Sequence, residues 1–125
     1  MGEAPKRRGR KAESLGHRAE ALAAAALEAE GWTVLARRQR SAAGEIDLVA
    51  EREGLLAFVE VKARPTLGRA AEALGARQRA RLLAAAEIWL ADHPGHGAAG
   101  IRFDVIVLDA AGRLRRVADA FRLGD

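Results

Sequence analysis

The chain has 125 residues, of which 50% are hydrophobic and 30% charged, with a formal net charge of +4 and no cysteine. This length and composition predict one ordered domain. They exclude a disulfide framework, a thiolate metal site and a cysteine nucleophile. The longest apolar run, residues 82–91, is shorter than the ~18 residues of a membrane span. We therefore expect a cytoplasmic protein with neither a membrane span nor a secretory signal.

The first 13 residues carry an excess of basic charge, with five basic and two acidic side chains, whereas the remainder is nearly neutral. This pattern predicts a flexible basic arm over 1–13, followed by a single domain over 14–125. Lys6, Arg7 and Arg8 in the arm are candidates for contacts with nucleic-acid phosphates. A solvated tail that binds no partner is the alternative interpretation.

Periodicity and turn residues predict the elements that follow. Ser14 is a good N-cap, and Gly31 is a typical helix stop. In chain order, the predicted elements are a helix over 14–30, strands over 32–40, 45–50 and 55–63, a helix over 69–92 that is broken or kinked at Gly75, a strand over 101–108 and a short strand over 114–117. This order predicts an α/β fold with a mixed central sheet flanked by helices.

Two neighbouring predicted strands carry acidic side chains at alternating positions. The period of two places Glu45 and Asp47 on one face of their strand. On the next strand, Glu60 and Lys62 share a face. Because a short connection makes the two strands a hairpin, we expect the three acids and the lysine to meet. Ile46, Leu48, Val59 and Val61 would then lie on the opposite, covered faces.

The carboxylates of this patch point to a metal site. Acidic groups that lie close together resist ionisation unless a cation lies among them, and Mg²⁺ prefers carboxylate oxygens. We predict that Asp47 and Glu60 hold Mg²⁺ or Mn²⁺, while Lys62 orients an attacking water or stabilises developing charge. This chemistry is phosphodiester hydrolysis. A solvated face with an ordinary ion pair is the alternative.

The spacing of Asp47 and Glu60-Val61-Lys62 resembles the D…ExK motif of the PD-(D/E)xK nuclease superfamily. More closely, the chain is similar to the YraN family of bacterial endonuclease-like proteins over most of the domain. The positions that carry this similarity are Gly16, Ala19, Glu20, Ala23, Leu27, Gly31 and Trp32, residues 44–48, residues 58–62 with Arg64, and residues 102–105.

The resemblance implies a restriction-endonuclease-like fold and a metal-dependent endonuclease that acts on DNA, including branched or structured DNA. It implies Glu20 as a further catalytic acid and metal ligand, an arrangement similar to that of archaeal Holliday junction resolvases. A helix-surface glutamate is the alternative for Glu20. Glu45 is either an additional ligand or a structural hydrogen-bond acceptor.

Candidates for nucleic-acid contacts also lie outside the acidic patch. Arg64 follows the ExK motif, and Arg77 and Arg81 lie four residues apart on the second predicted helix. A solvated basic face is the alternative for the latter pair. Gln78 stands where the family commonly has lysine, and Arg38 where it commonly has asparagine.

Two other functions remain open at this level. One is a nucleic-acid-binding accessory protein of DNA repair or uptake with little or no catalysis; the other is a module whose acidic patch binds a protein. For the nuclease, one site per chain implies a homodimer if both strands are cut. Asp104 either joins the site or pairs with an arginine.

Overall fold

The computed structural model describes residues 3–68 and 74–121, with side chains described from residue 16 onward. The elements in chain order are α1 (Glu3–Ala29), β1 (Thr33–Ser41), β2 (Gly44–Arg52), β3 (Leu55–Ala63), α2 (Ala76–Asp92), β4 (Gly100–Leu108) and β5 (Leu114–Phe121). This order agrees with the prediction, including the final strand, which is longer than expected.

The strands form one sheet in the order β1-β2-β3-β4-β5. The pairs β1–β2, β2–β3 and β4–β5 are antiparallel, whereas β3 and β4 are parallel. The parallel pair requires a crossover, and α2 lies in that connection. A mixed five-stranded sheet flanked by two helices confirms the predicted fold class.

The hairpin between β2 and β3 closes through Glu53 and Gly54, whose φ angles are 50° and 82°. Positive φ at both central residues is typical of the two-residue turn that matches strand twist. A Cβ on Gly54 would lie 3.3 Å from the Cβ of Ala99, so this position also lacks room for a side chain. The turn thereby sets the register that brings β2 alongside β3.

Each face of the sheet is covered by one helix. The apolar stripe of α1, with Ala23 and Leu27 fully buried, packs on Leu48 and Val59. On the other face, α2 packs on a larger core of which Phe58, Phe103 and Trp89 are the main aromatic members. Burial on both faces explains the near-continuous apolar runs of β3 and β4.

The helix boundaries differ from the prediction at their N-terminal ends. Helix α1 begins at Glu3, so Ser14 lies inside the helix instead of capping it. The segment upstream of Ser14 is rich in Ala, Lys, Arg and Glu, which are good helix formers, and its proline lies in the first turn, where proline is tolerated. Residues 3–13 of the predicted flexible arm are therefore helical, while the side chains of Lys6, Arg7 and Arg8 lie outside the described residues.

Helix α2 begins directly after Gly75, at the predicted break. Residues 69–73, predicted to begin this helix, lie outside the described residues. Within the described part of the chain, neither helix combines the length and apolarity needed to cross a membrane.

Candidate active site

The site forms where β2 and β3 separate. Their backbone ladder runs from the pair Arg52–Leu55 to the pair Leu48–Val59. Two residues further along β3, the N–H of Val61 donates a 2.8 Å hydrogen bond to Oδ2 of Asp47. A side-chain carboxylate thus satisfies a strand N–H that would otherwise need a backbone acceptor, and it is held at the gap between the strands.

The regular alternation of β2 ends at the same point. Ile46 packs in the core under α2, whereas Leu48 packs in the core under α1. The prediction that these two side chains share a face is therefore wrong. The register of β1 with β2 places Arg38 opposite Asp47, and Arg38 has a φ of 48°, a left-handed conformation that is uncommon within a strand.

Three carboxylates meet at Asp47. Glu20, Glu45 and Asp47 each place an oxygen within 4.8 Å of the other two. Glu20 reaches the group because Ala19 and Ala23 are buried against the sheet, which directs this edge of α1 towards the strand ends. The side chain of Glu20 is only 16% exposed, so the alternative of a helix-surface glutamate is wrong.

Glu60 lies beside this group of three. Its carboxyl group is near enough to that of Asp47 to raise the pKa of Asp47, so the two acids of the motif are neighbours across the gap. Nζ of Lys62 lies 3.0 Å from Oε1 of Glu60, and both side chains are largely buried. The hairpin thus brings together Asp47, Glu60 and Lys62, as the sequence predicted.

The crowding of negative charge perturbs two carboxyl groups. The pKa of Asp47 is raised to about 7, first by burial and then by the charge of Glu60, against the opposing effect of the Val61 hydrogen bond. The pKa of Glu20 is also raised, first by burial and then by Glu45 and Glu60. Both raised values show that the negative charge is incompletely compensated within the protein.

Arg38 is the residue of this site that sequence reasoning missed. Its Nε lies 2.5 Å from Oε2 of Glu20, so it links β1 to α1 across the acidic group. The available signal was an arginine at a position where the family resemblance implies asparagine, a residue that tolerates positive φ. Its importance depends on the position of α1, which local patterns do not report.

The donor set fits a hard divalent cation. The three clustered candidate ligands are carboxylates from α1 and β2, and Glu60 of β3 lies beside them. Mg²⁺ and Mn²⁺ prefer oxygen ligands, and a cation among these groups would relieve the repulsion that raises the pKa of Asp47. A metal site at this position therefore agrees with both the geometry and the electrostatics.

The residues predicted to contact nucleic acid outside the arm lie on α2 and just beyond β3. Arg77 and Arg81 are exposed on the first turns of α2. The Cβ of Arg81 is 3.9 Å from the position that a Cβ on Gly44 would take, so Arg81 lies beside the start of β2, where Glu45 follows Gly44. Gln78 instead accepts a hydrogen bond from the N–H of Gly75 at 3.3 Å and caps the helix. Arg64 is exposed just beyond β3.

Asp104 does not belong to the described acidic group. It is fully buried and forms ion pairs with Arg102 and Arg116 at 3.0 and 2.8 Å. Its other oxygen accepts a hydrogen bond from the N–H of Asp119. The interpretation of Asp104 as a paired structural acid is confirmed.

Residues 19–108 match the family described as "Uncharacterised protein family UPF0102". The chain belongs to the UPF0102 family. This result confirms the resemblance to the YraN family, which is the same family. The UPF0102 match extends from α1 to the end of β4 and so includes the acidic group and Lys62.

The chain is similar to UPF0102 proteins of several bacteria. It is 62% identical to one from Granulibacter bethesdensis, over 94% of this chain and 75% of the relative. It is 50% identical to one from Azorhizobium caulinodans, over 94% of this chain and 90% of the relative. It is also 50% identical to one from Rhodopseudomonas palustris, over 82% and 79% of the two chains. None of these UPF0102 names states an activity, so function rests on the site.

Proposed function

We propose that the protein is a divalent-metal-dependent nuclease that hydrolyses phosphodiester bonds in DNA. The observation that supports this function is the raised pKa of Asp47 within a group of carboxylates. Acids that serve only stability are paired with cations or with several N–H donors, as Asp104 is. Strong pKa perturbation by burial and like charges marks candidate functional sites.

Each residue of the site has a separate role in this proposal. Glu20, Asp47 and Glu60 would hold Mg²⁺ or Mn²⁺, with Glu45 as a further ligand. When bound, such an ion polarises the phosphate and acidifies water. The ammonium of Lys62 would donate a hydrogen bond to the attacking water or to a phosphate oxygen, which stabilises the developing negative charge.

The surrounding residues keep these groups in position. The N–H of Val61 fixes the orientation of the Asp47 carboxylate, and Glu60 holds Lys62 beside the cluster. Arg64, Arg77 and Arg81 are exposed, and Arg81 lies beside Gly44; these arginines would contact backbone phosphates, which position a strand without reading its sequence. Branched DNA is the substrate that the resemblance to junction resolvases favours, with a homodimer for paired cuts.

A cleavage assay tests the proposal. Linear duplex, single-stranded and four-way-junction DNA would be incubated with Mg²⁺ or Mn²⁺ and the wild type, Asp47→Asn or Lys62→Gln. Glu87→Gln, which changes an exposed glutamate of α2, is the matched control. We expect Asp47→Asn and Lys62→Gln to cut at least about 100-fold more slowly, as for loss of a group that stabilises transition-state charge, and the control to cut normally. Equal cutting by all four proteins would reveal a contaminant and overturn the proposal.

A nucleic-acid-binding protein without catalysis is the second candidate. It is favoured by two ion pairs, Lys62 with Glu60 and Arg38 with Glu20, because these supply the cluster with cations from the chain itself. Strong, junction-selective binding in EDTA, with no cutting under any metal condition, would establish this function instead of the nuclease.

A further inference from the structure

A groove of about 490 Å³ lies between α1 and the turn that joins β4 to β5. Its volume falls within the roughly 300–1,000 Å³ of small-molecule sites. Its lining includes Arg18, Ala19, Leu22, Arg64, Pro65 and Leu108. The groove lining is close in sequence to the candidate active site, since Ala19 precedes Glu20 and Arg64 follows Lys62 by two residues.

The lining combines an apolar surface with guanidinium groups. Ala19 and Leu108 are buried at its base, and Leu22 is 46% exposed, the most exposed large hydrophobic residue in the described part of the chain. Arg18 and Arg64 are exposed, and neither forms an ion pair with a described carboxylate. Such a lining suits a flat apolar group that carries an anion.

Asp109 also borders the groove, but its carboxylate is engaged inside the turn. It accepts hydrogen bonds from the N–H groups of Ala111 and Arg113 and from Nε of Arg113. Its side chain is 1% exposed, so it does not present a free negative charge to a ligand. These bonds also hold the turn in place as one wall of the groove.

We infer that this groove binds one unpaired nucleotide of a DNA strand, with the base against the apolar surface and a phosphate at Arg18 and Arg64. Stacked and paired bases hide their faces within the duplex, whereas an unpaired base can enter a pocket. Guanidinium groups are well suited to phosphate oxygens. Because Arg64 follows Lys62 by two residues, the bound nucleotide would adjoin the cleaved bond; this part of the inference rests on the proposed function.

The test compares single-stranded and fully paired DNA as binding probes. Fluorescence anisotropy with labelled oligonucleotides of equal length, in EDTA to prevent cutting, would give the Kd of the wild type, Leu22→Glu and Leu35→Glu. Leu35 is 37% exposed on β1, outside the groove, so Leu35→Glu adds the same charge elsewhere. Because both leucines are exposed, we expect both variants to fold, and thermal melting would check this.

We expect Leu22→Glu to weaken single-strand binding at least about fivefold and duplex binding less than twofold, while Leu35→Glu changes neither, since only groove contacts require an unpaired base. If Leu22→Glu binds single strands with the same Kd as the wild type, the inference is overturned. It is also overturned if Leu22→Glu weakens duplex binding as much as single-strand binding, because that result indicates general repulsion by the added charge. A second variant, Arg64→Gln, is expected to weaken single-strand binding because it removes a guanidinium group from the phosphate site.

The outcomes also separate this inference from the proposed nuclease. If the wild type cuts DNA but Leu22→Glu binds single strands normally, the groove assignment fails and the nuclease stands. If the wild type does not cut DNA but Leu22→Glu selectively loses single-strand binding, the nuclease fails and the groove remains a nucleotide-binding site.

Discussion

Oδ2 of Asp47 accepts a 2.8 Å hydrogen bond from the backbone N–H of Val61, one residue from each of the two motif side chains Glu60 and Lys62. The bond lies where the ladder between β2 and β3 ends. It therefore joins the aspartate to the ExK segment directly and keeps the strands from separating further. The hairpin places the motif residues on adjacent strands, and this contact fixes the orientation of the Asp47 carboxylate beside Glu60 and Lys62.

The pH dependence of stability follows from the raised pKa of Asp47, which is about 7 in the folded protein against an ordinary value of 3.8. Between about pH 4 and pH 7 the folded state binds more protons than the unfolded state, so the free energy of unfolding falls as the pH rises. Each tenfold change in proton affinity between the two states corresponds to about 1.4 kcal/mol. Asp47→Asn stays neutral, and its amide oxygen can still accept the Val61 hydrogen bond.

We expect Asp47→Asn to be more stable than the wild type at pH 8, by on the order of 1–2 kcal/mol, with a smaller difference at pH 5. Urea unfolding in EDTA at both pH values measures this, and Asp92→Asn, at an exposed aspartate of α2, is the control. A difference that is the same at pH 5 and pH 8 would contradict the expected linkage.

Divalent cations are expected to stabilise the wild type against heat. A cation that binds only the folded state adds about 2.7 kcal/mol at a concentration 100 times its Kd. The double variant Glu20→Gln with Asp47→Asn, which loses two members of the acidic group, should gain little. Melting temperatures at pH 8 with EDTA, Mg²⁺ or Mn²⁺ provide the measurement. An equal increase in the double variant would place metal binding elsewhere.

Arg38 is expected to stabilise the cluster before a metal binds. Its guanidinium pairs with Glu20, whose side chain is 16% exposed, and removal of one partner of a half-buried pair leaves a charge uncompensated. We expect Arg38→Gln to lower the free energy of unfolding by about 1–3 kcal/mol at pH 8 in EDTA, and divalent metal to recover part of this loss.

The matched control for this variant is Arg115→Gln. Arg115 is exposed on β5 and forms no ion pair with a described carboxylate, so its loss should change the free energy of unfolding by less than about 0.5 kcal/mol. Urea titrations of both variants, with and without Mn²⁺, make the comparison. Equal losses for the two arginines would remove the special role of Arg38.

Asp104 is predicted to stabilise the fold. It is fully buried between Arg102 and Arg116, and breaking such a pair costs about 3–5 kcal/mol because it leaves buried charges unpaired. Asp104→Ala should show this loss in chemical unfolding, whereas Asp92→Ala should change stability by less than about 0.5 kcal/mol. A loss below about 1 kcal/mol for Asp104→Ala would contradict its structural role.

Local sequence patterns were enough to predict the order of the elements and the neighbourhood of Asp47, Glu60 and Lys62. Strand periodicity and the glycine turn after β2 act over a few residues, so they can be read directly from the chain. A hairpin then necessarily places its two strands side by side, which is why the pairing of the motif was predictable.

The remaining features depend on contacts between residues that are distant in the chain. Glu20 joins the cluster because α1 packs on the sheet, and Arg38 reaches Glu20 from a position opposite Asp47 with a positive φ. The separation of Ile46 from Leu48 into the cores on the two faces of the sheet also departs from the period of two. Periodicity specifies which side of an element is apolar, whereas the packing of whole elements specifies which polar side chains meet, and only the latter assembles this site.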